Sequence, residues 1–184
     1  MSSHGCKNLD ACVRKGDVGE ALRDSPQLDR DATLKLARYL FSGDKLVPIG
    51  DGDLSYTCPP DDELHIGCFP NISIVAAKEF GIDYPSKLAI PFVAAGGSGT
   101  VYLHAMHSVV DWFAFAQWIN GTLVRSLSLS PESPFPFHPL ELGEADLKEF
   151  FGYQLEGPLD RALLEPESIR LLKYKRSRSR WKFW

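Results

Sequence analysis

The sequence contains no apolar run approaching the ~20 residues that cross a bilayer as a helix, which argues against a helical integral membrane protein. Its first twenty residues lack the continuous apolar stretch of a secretory signal. Cysteine is scarce, with 4 in 184 residues, and Cys6, Cys12, Cys58 and Cys68 show no Cys-x-x-Cys spacing. Neither a disulfide framework nor a zinc knuckle is expected, and the thiols fit a reducing, cytoplasmic setting. No internal repeat is present, and low complexity is confined to Arg176-Ser-Arg-Ser-Arg180.

What is present is ordinary for a globular chain. Hydrophobic residues make up 44% and charged residues 24%, and the length suits one domain. Charge is unevenly placed. The net charge is −4, yet residues 170–184 carry seven basic and no acidic side chains, leaving −11 for the remainder. An acidic body disfavours a protein that wraps nucleic acid with its whole surface, because phosphate binding needs clustered cations.

Gly16-Asp17 followed by Val18, Ala21 and Leu22 predicts a short capped helix ending before Pro26. A second helix is predicted over 29–41, with Asp29 as N-cap and Ala32, Leu36, Ala37, Leu40 and Phe41 at helical spacing. Residues 46–49 read as extended and 50–53 as a turn. Residues 64–69 and 72–77 read as strands broken at Pro70-Asn71. Pro91 limits any helix in 86–95 to a fragment beginning near it. Residues 100–108 form a strand candidate rich in Val, Tyr and Leu.

Asn120-Gly121 between two apolar runs is the strongest hairpin signal in the chain, since both turn residues take positive φ. A two-residue turn there opposes Ile119 to Thr122, Trp118 to Leu123, Ala116 to Arg125 and Ala114 to Leu127. Both faces of such a ribbon are substantially apolar, so a central position covered on both sides is expected. The prolines at 131, 134, 136 and 139 give an extended stretch, and a short helix is predicted over 144–151.

Three segments carry a resemblance: His104-Ala-Met-His107-Ser-Val-Val-Asp111-Trp112, Arg125-Ser-Leu-Ser-Leu-Ser-Pro131 and Pro136-Phe-His-Pro-Leu-Glu-Leu-Gly143. They are similar to an uncharacterised, mostly actinobacterial family of small cytosolic proteins carried as a domain of unknown function. The resemblance covers residues 16–157. It departs from the family pattern where residues 8–15 are polar instead of an apolar strand. It departs again at 132–135, where the family has a longer insertion. The resemblance implies no activity.

His104, His107 and Asp111, with Cys68 as a fourth member, are the candidate metal ligands, and zinc suits that donor set. The same residues, without Cys68 and with Arg125, are the catalytic candidates. On a strand, however, His104 and His107 point to opposite sides, so core histidines without a metal are the expected reading. Arg125, on an apolar face, needs a partner: Asp111 or Glu141, or a carboxylate or phosphate ligand. It and His138 are the ligand-binding candidates. Ser126, Ser128 and Ser130 lack a nucleophile elbow, and Cys68 lacks an evident base. In the tail, Lys173, Lys175, Arg176, Arg178, Arg180, Trp181, Lys182 and Trp184 interleave cations with aromatics. That pattern suits an anionic partner, either a membrane surface or single-stranded nucleic acid.

The expected architecture is therefore a single α+β domain: a central, mainly antiparallel sheet with packed helices and a basic C-terminal tail. Residues 1–15 are expected to be poorly ordered or variable, 16–157 to form the domain, and 158–184 a connector and tail. The expected function is a non-catalytic binding or interaction module without cofactor, with an unknown protein or small molecule as partner. The alternatives are a small metal-dependent hydrolase-like enzyme and a tail-mediated nucleic-acid or membrane-surface binder.

Overall fold

The computed structural model describes residues 7–13, 18–23, 25–56, 58–107, 112–129 and 166–178. The elements run β1 (Lys7–Val13), α1 (Val18–Arg23), α2 (Arg30–Leu40), β2 (Asp44–Asp53), β3 (Glu63–Cys68), β4 (Ile72–Ala76), α3 (Ile90–Ala95), β5 (Thr100–His107), β6 (Trp112–Ile119), β7 (Thr122–Leu129) and β8 (Arg170–Arg178). Neighbouring strands follow the order β2-β8-β3-β4-β1-β5-β6-β7, and every pairing is antiparallel. The result is antiparallel sheet with few helices, in agreement with an α+β class. Two ladders, β2-β8-β3-β4 and β5-β6-β7, meet at β1, which pairs briefly with β4 and along most of its length with β5.

Alternation decides the two faces. Leu64, Ile66, Val75, Val101, Leu103, Ala105, Ala114, Ala116, Trp118, Leu172 and Tyr174 point to one side and form the larger core with α2 and α3. Ile72, Ile74 and Leu171 point to the other, where Leu22 of α1, Phe69 and Ile169 complete a smaller core. On α2, the fully buried Thr33 and Ala37 are the innermost contacts.

Two terminal segments differ from the sequence reading. Lys7–Val13, expected to be variable, is a strand between β4 and β5. Arg170–Arg178, expected to be tail, is an interior strand bonded to β2 on one side and β3 on the other. The seven basic residues hid an alternation in which Leu172 and Tyr174 are core while Lys173 and Lys175 face away. The 50–53 turn is likewise strand: β2 continues through Asp53, with a register shift between Pro48 and Gly50 that leaves Ile49 as the extra residue.

The 120–121 turn forms as expected, with Asn120 at φ 51° and Gly121 at φ 75°. Its ribbon is not central, because β7 ends the strand order. The register also slips by one residue. A bulge between Gln117 and Trp118 sets Gln117 opposite Arg125, Ala116 opposite Ser126 and Ala114 opposite Ser128. Val124 is the extra residue, and it lies exposed. The slip moves Ser126 and Ser128 onto the α2–α3 face and sends Arg125 and Leu127 to the other.

Candidate functional site

The candidate site is a cavity of about 500 Å³ between α2, α3 and the sheet. Its walls follow from how the two helices are fixed. Asp29 caps α2, its carboxylate accepting from the Ala32 amide at 2.8 Å. Thr33 then ties that end to the rim of β3. Its hydroxyl donates to the Asp29 carbonyl at 2.6 Å and accepts from the Cys68 amide at 2.9 Å, while the Asp29 amide donates to the Cys68 carbonyl at 2.8 Å. At the opposite end, Phe41 and Phe80 meet Phe92 of α3 edge-to-face, with ring centroids 5.7 and 5.0 Å apart. The helices are thus held at two points, and the space between is left open.

Val75, Val101, Leu103 and Cys68 form its buried floor, and Leu36, Phe80, Leu88 and Phe92 its sides. Lys35, Tyr39, Pro70, Ala94 and Gly97 line it where the chain is exposed, so its mouth lies between mid-α2 and the end of α3. Polar atoms at depth satisfy each other, with the Ser73 hydroxyl donating to Cys68 Sγ at 3.4 Å. A volume within the ~300–1,000 Å³ of ligand sites, with apolar walls and few polar groups, suits a small apolar molecule.

The residues singled out from sequence fall elsewhere. His104 and His107 lie three apart on β5, on opposite faces as strand geometry requires. His104 packs edge-to-face on Phe113 with centroids 5.3 Å apart, and burial pushes its imidazole below the usual histidine value. His107 pairs across strands with Trp112, on the helix-covered face. Cys68 lines the cavity on another ladder. Asp111, Glu141, His138, Ser130 and the 144–151 helix lie outside the described residues. Among the described residues, no group of three His, Cys, Asp or Glu is placed to hold a metal. Arg125 is half-buried beside Gln117 instead of opposite Ala116.

Of the expected anion-binding tail, Lys175 pairs with Asp62 at 2.9 Å and Arg176 is buried between Asp44 and Glu79, its guanidinium over the Phe41 ring. Arg180, Trp181, Lys182 and Trp184 lie outside the described residues. The cavity was not singled out from sequence. Its lining is drawn from α2, α3, β3, β4 and β5, and no local motif announces such a convergence. Among the described residues, no helix is long and apolar enough to cross a membrane.

A model for a family of unknown function (DUF6928) matches residues 9–134 and 131–174. The matched span includes residues 9–13 of β1 and 170–174 of β8, both of which fell outside the 16–157 resemblance. No curated protein and no solved structure matches the chain.

Proposed function

Because the chain belongs to DUF6928, whose function is unknown, no activity comes with membership, and we propose from its geometry that it is a non-catalytic module that binds a small apolar molecule. The observation that carries this reading is the cavity between α2 and α3, floored by Val75, Val101 and Leu103. Burial of a ligand there is driven by removal of apolar area from water, about 25 cal/mol per Å². The absence of unsatisfied hydrogen-bonding demand at the Cys68–Ser73 pair favours an apolar body over a polar one.

The test is uptake of N-phenyl-1-naphthylamine, a neutral fluorescent probe, by the full chain. Saturable one-site binding is expected, and it should be lost in Ala32→Trp and Ala95→Phe, which fill the space from α2 and α3. Absence of uptake in the unmodified protein, or uptake unchanged in folded forms of both variants, overturns the reading.

A further inference from the structure

We propose that the ligand of this cavity is an amphiphile with a single anionic head, a medium-chain carboxylate in its simplest form, whose head is held at the mouth by Lys35. The inference rests on the cavity being a binding site and adds the chemical class of what enters it.

Lys35 is the sole charged residue among the described lining residues. It sits on the stripe of α2 that also presents Ala32 and Tyr39, three and four residues away, so its stem can lie along the apolar wall with its ammonium at the water boundary. Arg30 is engaged by Asp51, Lys175 by Asp62, and Arg176 by Asp44 and Glu79, while Arg38, three residues further along α2, does not line the cavity. Lys35 forms no ion pair among the described residues. Its ammonium is therefore available to an incoming anion without first breaking a protein contact.

The remaining lining fixes the orientation and the sign of the charge. No Asp or Glu lines the cavity among the described residues, so a cationic head would meet Lys35 and find no carboxylate in exchange. Beside the floor residues Val75, Val101 and Leu103, the Ser73 hydroxyl is directed to Cys68 Sγ, and the Tyr102 hydroxyl accepts from Gln117 Nε2 at 3.3 Å. A charged head cannot be placed among Val75, Val101 and Leu103 without losing its hydration uncompensated. Head outward at Lys35 and tail inward toward Phe80 and Phe92 is the arrangement that satisfies both ends. The exposed Tyr39 hydroxyl, on the same stripe, adds a donor at the mouth.

The test is displacement of N-phenyl-1-naphthylamine from the full chain by dodecanoate, 1-dodecanol and dodecylamine, each below its micelle-forming concentration. Dodecanoate should compete roughly fivefold better than the alcohol, the scale of one exposed charge-assisted contact, with the amine weakest. Lys35→Gln should erase the preference for carboxylate over alcohol, Lys35→Arg should keep it, and Lys35→Glu should shift it toward the amine. Equal competition by acid and alcohol, or a preference that survives in Lys35→Gln, overturns the anionic head while the apolar cavity stands. If the probe binds but no tail compound displaces it, the amphiphile falls while the apolar cavity stands; if the probe itself is not taken up, both readings fall together.

Discussion

Arg176 Nη2 lies 2.6 Å from Glu79 Oε1 and 2.7 Å from Asp44 Oδ2, so one guanidinium of β8 joins the start of β2 to the turn after β4. The arginine and Asp44 are nearly buried, with side chains 8% and 10% exposed, and Phe41 caps the guanidinium. Burial raises the Glu79 carboxyl, but the hydrogen bonds from Arg176, a backbone hydrogen bond and the charges of Arg176 and Lys78 together hold it below the usual carboxylate range. Burial likewise opposes the charge on Arg176, and the bonds to Glu79 and Asp44 restore it.

Arg176→Met should therefore be costly, because two carboxylates are left together without a cation. A loss of about 3–5 kcal/mol in urea unfolding is expected. The contribution of Glu79 is present above the ordinary carboxylate range and is lost as pH falls through its lowered folded value. Glu79→Gln should flatten that acid limb. A limb unchanged in Glu79→Gln would show that other carboxylates carry it.

His65 sets a second pH dependence. It is 1% exposed in the middle of β3, with Nδ1 3.3 Å from the Tyr56 carbonyl and Nε2 3.5 Å from Glu63 Oε2, the latter an ion-pair distance without hydrogen-bond alignment. Burial lowers its imidazole below the usual value despite those two partners. The unfolded chain then takes the proton first, so stability falls as pH drops below about 6.5 and levels once the folded chain is protonated too. His104 acts in the same direction. Each of His65→Phe and His104→Phe should remove part of this slope between pH 6.5 and the carboxylate range, as read by thermal unfolding at stepped pH.

Thr33 links stability to the cavity. Thr33→Val keeps the shape but leaves the Cys68 amide without its acceptor, at a cost of about 1–3 kcal/mol. Because the same bond fixes the wall of the cavity, affinity for an apolar probe should fall in Thr33→Val. In a variant of an exposed residue outside the lining, such as Tyr84→Ser, it should not.

Local rules were legible where one residue sufficed. Asp29 announced the start of α2, Asn120-Gly121 announced the hairpin, and the spacing of His104 and His107 on a strand foretold their separation. What escaped was set by non-local choices. The bulge at Gln117 depends on how β6 and β7 settle against their neighbours, and one residue of slip reversed Arg125 and Ser126. The basic run at the C-terminus looked solvated because acidic partners for its cations, Asp62, Asp44 and Glu79, lie about a hundred residues earlier. The polar composition of β1 concealed a strand whose backbone pairs on both sides. The cavity is a product of helix placement, and placement is decided by Thr33 and by the Phe41, Phe80 and Phe92 cluster acting together.

The most direct measurement is a methyl and amide chemical-shift titration of the full chain with dodecanoate. Saturating shifts are expected at Leu36, Val75, Val101 and Leu103 and at Lys35, with His104 and Arg125 on the opposite face undisturbed. Shifts centred on His104 and Arg125 instead, or none at Val75 and Leu103 at saturating ligand, would contradict a binding site between α2 and α3.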